Sequence, residues 1–75
     1  MKTISIVVPC YNEEENVGPL ADALREMFRK DLPDYRYEIL FIDNDSRDKT
    51  RDLIRGLCAG DQGIKGIFNA KNFGQ

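Results

Sequence analysis

The chain has no histidine and no tryptophan, only two cysteines and only three prolines among its 75 residues. Without histidine, the common zinc ligand sets and the Ser/His or Cys/His nucleophile pairs lack a part. Cys10 and Cys58 lie far apart in sequence, and in a cytosolic setting such thiols stay reduced, so a disulfide is not expected. Long apolar runs are missing too. The longest, residues 6–8 and 39–42, fall well short of the ~20 residues that cross a bilayer. The start, "MKTISIVVPCYNEE", has one lysine and a short apolar stretch but no small-residue cleavage site, which fits a first strand better than a signal peptide. Charge of one sign is also absent. Eleven basic and thirteen acidic residues leave a net charge of -2, both signs are scattered, and no Lys/Arg block marks a nucleic-acid surface. A cytoplasmic location is expected.

What is present describes one small globular domain over residues 1–75, with 41% hydrophobic and 32% charged residues and no low-complexity tract. A chain of this size buries only about 60% of the surface its unfolded form exposes, so its stability margin is thin. "ISIVV" at residues 4–8 is rich in β-branched residues and closed by Pro9, which predicts a strand buried largely on both faces. Val17, Leu20, Ala21, Leu24, Met27 and Phe28 follow at the spacing of one helical stripe. Asn16 as N-cap puts Pro19 in the tolerated first turn and leaves the side chains of Asn12, Glu13 and Glu14 in a loop, available for other work. "DLPDYR" breaks the helix, and "YEILFI" predicts a second strand buried on both faces. Thr50, Leu53, Ile54, Leu57 and Cys58 make a second stripe, stopped by Gly60, and "IKGIFN" predicts a weaker third strand with Gly66 inside it.

The order β-α-β-α-β implies an α/β fold, a three-layer Rossmann-like half with a parallel sheet. Ligands in such sheets sit beyond the carboxyl ends of the strands, where "PCYNEE", "DNDSRD" and "NAKNFGQ" converge. The aspartates of the second loop admit three readings. A calcium loop fails, because Arg47 and Asp48 stand where the fifth ligand and the turn glycine belong, and Ile54 stands at the twelfth position. Capping of the second helix accounts for Asp45 or Ser46 as N-cap and Asp48 in the first turn. Asp43 directly follows Ile42 at a strand tip, where a carboxylate accepts hydrogen bonds from a ligand.

With these loops placed, the chain resembles the N-terminal part of inverting family 2 glycosyltransferases of GT-A fold, nearest the dolichol- and polyprenyl-phosphate sugar synthases. "VVPCYNEEENV" is similar to the V-P-x-Y-N-E-E-x-N opening, "EILFIDNDSRDKT" to V-D-D-G-S-x-D-x-T, and "NAKNFGQ" to R-N-F-G-K. The resemblance implies a nucleotide-sugar-binding subdomain in which Pro9, Tyr11 and Glu13, with Asn12 between them, wall the base and ribose. It further implies that Asp43 accepts a hydrogen bond from the base, that Asn44 lies beside it, and that Lys71 and Asn72 meet the diphosphate. Asn44 and Asp45 replace the usual Asp-Gly pair, and Lys71 replaces an arginine and its bidentate fork.

The implied reaction moves a sugar from a UDP- or GDP-sugar to a polyprenyl phosphate or saccharide, as in building cell-envelope polysaccharides. The full enzyme would use Mg2+ or Mn2+ and could associate with the cytoplasmic face of a membrane. The family's metal motif and catalytic base come later than Gln75, so no catalytic or metal residue is expected in this chain, and the chain alone is expected to be inactive. A non-enzymatic flavodoxin-like signalling or protein-interaction module is the alternative. If the sheet order is 3-2-1-4, the first strand should pair with a fourth that these residues do not supply, and self-association through that edge, by strand pairing or exchange, is expected to show as dimers in sedimentation at high concentration. A strictly monomeric profile would count against it.

Overall fold

A computed structural model of the chain describes residues 1–69. The elements are β1 (Thr3–Cys10), α1 (Val17–Asp31), β2 (Arg36–Asn44), α2 (Thr50–Gly60) and β3 (Ile64–Asn69). The strands are parallel and ordered β1-β2-β3, the Rossmann-like half expected from the sequence, with β1 at one edge. Lys71 and Asn72 lie outside the described residues.

Register decides which side chains meet. Ile6 pairs with Ile39 and Ile39 with Ile64, while Val8 pairs with Phe41 and Phe41 with Gly66, so one face of the sheet is a continuous apolar surface. Both helices cover that face. Val17 and Ala21 from α1 and Ile54 from α2 join Cys10, Ile39, Phe41 and Ile64 in a single core, and the two helices touch each other. Gly66 permits this closeness: a Cβ there would stand 2.8 Å from Ile54 Cγ2 and 3.1 Å from the Phe68 ring. The glycine that weakens β3 as a strand is therefore what lets α2 approach it.

The expectation that the strands are buried on both faces is corrected. On the face away from the helices Val7 is 56% and Ile67 45% exposed, with Leu40 and Ile42 half-buried between them. The described residues supply two of the three expected layers. A run of β-branched residues signals a strand without saying what covers its second side.

Helix α1 begins at Val17 with Pro19 in its first turn, as expected, and Arg29 and Lys30 in the last turn oppose the negative end of its dipole. Asn16 occupies the cap position, but its side chain donates to Glu13 Oε1 at 2.9 Å instead of capping the helix. Helix α2 starts at Thr50, later than Asp45 or Ser46 as N-cap would require, and Lys49 at its cap position makes no side-chain cap bond. Asp48 therefore precedes the helix and does not lie in its first turn. Its Oδ1 accepts the Thr50 N–H at 2.9 Å.

One polar cluster ties the layers together at the other end of the sheet. Asp61, just after α2, accepts from the Tyr37 hydroxyl at 2.5 Å, the Gly63 N–H at 2.8 Å and Arg25 Nη1 at 3.1 Å. Burial pushes the Asp61 carboxyl up, but these hydrogen bonds and the Arg25 charge outweigh it and hold the group below its ordinary value. Burial, with the bond to Asp61, pushes the Tyr37 hydroxyl up. A lowered carboxyl adds stability that is complete above the unfolded value of about 3.9 and is lost as pH falls through the folded one. A raised phenol adds stability that is complete below about 10 and is lost as pH rises through its folded value. The stability gap between the native chain and Asp61→Asn is thus expected to narrow below about pH 4 in urea titrations. A gap of constant size from about pH 6 to about pH 2.5 would show that Asp61 gains nothing from its partners.

Candidate functional site

The site is built at the carboxyl ends of the strands. Strand β2 does not stop at Ile42 but continues through Asp43 and Asn44, so the two-residue alternation governs both side chains. Asp43 follows Ile39 and Phe41 onto the helix face, where it is 0% exposed. Its Oδ2 accepts the Ser46 N–H at 3.0 Å, and Arg51 Nε stands 3.5 Å from the same oxygen, too far for a well-formed hydrogen bond. Among the described residues neither Asp43 Oδ1 nor Arg51 Nε has a hydrogen-bond partner. Such a group costs on the order of 1–3 kcal/mol.

Asp43, expected to offer its carboxylate to a base, thus lies beneath the rim instead of open to it. The exposed polar group at the tip of β2 is Asn44, whose Oδ1 accepts from Asn69 Nδ2 at 3.3 Å. Those two residues are register partners at the ends of β2 and β3.

The loop after β1 is fastened to the loop after β2. The Asn12 N–H donates to Ser46 Oγ and the Arg47 N–H to Asn12 Oδ1, both at 2.8 Å. The Glu13 N–H donates to Thr50 Oγ1 at 2.8 Å, the Lys49 N–H to Glu14 Oε1 at 3.1 Å, and the Glu14 N–H to Asp48 Oδ2 at 3.2 Å. Asn12 and Glu14, expected to be free in a loop, each bind the neighbouring loop through one oxygen, Oδ1 and Oε1 respectively. Glu13 keeps one carboxylate oxygen on Asn16. Burial raises the Asp48 carboxyl, yet its bonds from Thr50 and Glu14 prevail and the group lies below its ordinary value.

Two residues take left-handed backbone conformations at the turns of this clasp, Asn12 at φ 50° and Asp45 at φ 63°. Asn and Asp are the non-glycine residues that visit this region most readily. Asp45 stands where the resembling motif has glycine, so the turn geometry persists without the glycine.

Tyr11 follows Cys10, the register partner of Asp43, and is 55% exposed at the rim. A pocket of about 240 Å³ beside it, against β1, is lined by Pro9, Cys10, Glu13, Asn16, Val17 and Leu20 among others. It gathers two of the expected residues, Pro9 and Glu13, whereas Tyr11, Asn12, Asp43 and Asn44 lie outside it. A larger hollow of about 640 Å³ involves Thr3, Arg36 and Gly63, at the starts of the strands. Ligands of parallel sheets bind at the opposite end, so that hollow is not the site. Cys10 is buried, and burial together with the Asp43 and Glu13 charges raises its thiol, which keeps it protonated and unreactive. Both cysteines are free thiols. Among the described residues no three His, Cys, Asp or Glu side chains are grouped to hold a metal ion.

Ser46 and Thr50 are the site residues that reasoning along the sequence missed. Thr50 has the spacing of the apolar stripe of α2, and Ser46 the composition of its cap. Their hydroxyls instead receive backbone N–H groups from a loop 34 and 37 residues away.

Comparison with known proteins agrees with this geometry. The family model described as Glycosyl transferase family 2 matches residues 5–75. The prophage bactoprenol glucosyl transferase homolog of Escherichia coli K12 is 36% identical over 72 residues, covering 96% of this chain and 23% of its own. The undecaprenyl-phosphate 4-deoxy-4-formamido-L-arabinose transferase of Shewanella sediminis is 36% identical over 73 residues, covering 96% of this chain and 22% of its own. A dolichyl N-acetyl-α-D-glucosaminyl phosphate glycosyltransferase of Methanococcus voltae, which by name adds a diacetamido-dideoxy-glucuronosyl unit, is 42% identical over 57 residues, 76% of this chain and 17% of its own. The chain thus spans less than a quarter of the length of the curated relatives it matches. The match takes in β1 from Ser5 onward, the other two strands, both helices and the clasped loops between them, and on that ground the chain belongs to glycosyl transferase family 2.

Proposed function

We propose that this chain is the N-terminal nucleotide-binding part of a glycosyltransferase that moves a sugar from a UDP- or GDP-sugar to a polyprenyl phosphate or a saccharide. The observation that carries the reading is the clasp: the 12–14 and 46–50 segments form one rim at the carboxyl ends of parallel strands. Exposed Tyr11 and Pro9 present flat and apolar faces for a base, and Asn44 and Asn69 present amides for its edge. The relatives named for bactoprenol and undecaprenyl-phosphate sugar transfer support a lipid-phosphate acceptor.

Asn44 bears on how the base is held. An amide offers one acceptor and one donor side by side, which complements the N–H and carbonyl of a uracil edge. Guanine shows the same donor and acceptor side by side at N1–H and O6, so an amide pairs with that edge as well. Asn44 is therefore expected to serve UDP and GDP alike, and Asn44→Ala is expected to weaken binding of either by roughly 3- to 10-fold, the value of one hydrogen bond. Among the described residues no donor set for the Mg2+ or Mn2+ implied by the family is grouped, and the part we assign to this chain is to bind and orient the nucleotide. Sugar transfer by the chain alone is not expected. The alternative of a signalling or interaction module has no observation in its favour.

Titration with UDP and GDP, read on backbone amide resonances, tests the reading. Shifts confined to residues 9–14, 43–50 and the end of β3 are expected. Shifts centred on Thr3, Arg36 and Gly63, or none at millimolar nucleotide, would overturn it.

A further inference from the structure

Arg51, in the first turn of α2, meets two strands at once. Its Nε is 3.5 Å from the buried Asp43 carboxylate of β2, and its guanidinium carbon is 5.3 Å from the centre of the Phe68 ring of β3. Asp43 and Phe68 are register partners, and each immediately precedes one of the two asparagines that pair across the strand tips, Asn44 and Asn69. Because successive strand residues point to opposite faces, the guanidinium lies behind the asparagine pair and touches both of its supports. The remaining capacity of the pair is also on this face: Asp43 Oδ1 and Arg51 Nε are buried without partners among the described residues. Arg55 shares the Phe68 ring, at 4.7 Å, but its charge is directed to Asp52 at 3.3 Å and not to Asp43.

We propose that Arg51 is a positioning residue for the nucleotide rim, a brace that sets the spacing and orientation of Asn44 and Asn69 from the far side of the sheet by holding Asp43 and Phe68 together. The inference rests on the reading of the rim as a nucleotide site for its consequence but not for its geometry. Lysine would keep a charge opposite Asp43 but lacks the planar guanidinium that faces Asp43 through Nε while its carbon lies over the Phe68 ring. The brace therefore has two separable halves, one for each asparagine.

The test uses the 75-residue chain in its native form and as Arg51→Met, Arg51→Lys and Arg55→Met. The side-chain amide signals of Asn44 and Asn69, and the cross-relaxation between them, are recorded without ligand, and UDP is then titrated. Arg51→Met is expected to lose the Asn44–Asn69 cross-peak and to weaken UDP binding about tenfold. Arg51→Lys is expected to keep the Asn44 signals near their native positions and move those of Asn69, while Arg55→Met, which removes the other cation from Phe68 and touches nothing at Asp43, leaves Asn44 in place and moves Asn69 at most. If Arg51→Met fails to fold, the Arg51→Lys spectrum carries the decision alone. Native Asn44 and Asn69 signals in the Arg51 variants that fold, or equal displacement of them by Arg55→Met, would overturn the proposal. Failure of the native chain to bind UDP, with the ligand-free results as expected, would remove the nucleotide reading and leave the brace standing.

Discussion

Phe41→Ala is expected to lower the melting temperature by about 15 °C or more and to leave little folded protein at about 37 °C. Phe41 is the largest fully buried side chain among the described residues, at the middle of the central strand, between Val8 and Gly66 in the register. Truncating such a residue costs about 3–5 kcal/mol, the lost transfer energy plus the cavity left behind. A domain of this length has about 4–11 kcal/mol in total at the usual stability per residue, so the substitution removes about a quarter of it or more. Gly66 offers no side chain to fill the space, and α2 cannot settle inward without Ile54 striking the strand. Circular dichroism melts of both proteins check the expectation. A loss of under about 5 °C would mean that the core is not centred on β2.

Thr50→Val is expected to cost about 2 kcal/mol and to open the site without disturbing the sheet. The two side chains are nearly the same size, but valine cannot accept the Glu13 N–H or donate to Asp48 Oδ1. Both lost bonds belong to the clasp, since Thr50 itself is fully buried at the junction of the two loops. The penalty comes from leaving a backbone donor unpaired there, and the loop can recover part of it only by moving into water. Amide hydrogen exchange separates this from general destabilisation. The Glu13 amide is expected to exchange at least tenfold faster, as about 1.4 kcal/mol of lost protection requires, while the β2 amides slow or speed only with global stability. Unchanged exchange at Glu13 would remove Thr50 from the clasp, and nucleotide affinity that survives faster exchange would show that the rim does not depend on it.

These two residues show how unevenly the sequence speaks. Phe41 sits in "YEILFI", whose composition alone marks a buried strand. Thr50 sits at a helical spacing that invites the wrong role, because its spacing matches the stripe formed by Leu53, Ile54 and Leu57 while its partner lies 37 residues earlier. Asp43 shows a third case. Its burial follows from strand alternation once β2 extends to Asn44, but composition places the boundary at Ile42, and so small an error at a strand end is enough to make a buried carboxylate look like a rim acid. Lys71 and Asn72, implied by the resemblance alone, lie outside the described residues.

By itself the sequence determined the order of elements, the parallel sheet, the helix face that enters the core and the family motifs at the strand ends. The elements depend on periodicity and turn chemistry within a few residues of chain, the parallel sheet follows from their alternating order, and the motifs come from the resemblance. Only the tertiary structure decided that Asp43 is covered, that Asn44 and Asn69 form the open tip, that Ser46 and Thr50 clasp the first loop, and that Arg51 stands behind both asparagines. Each of these joins groups distant along the chain, and no spacing rule encodes a hydrogen bond whose partners meet only after two strands have paired.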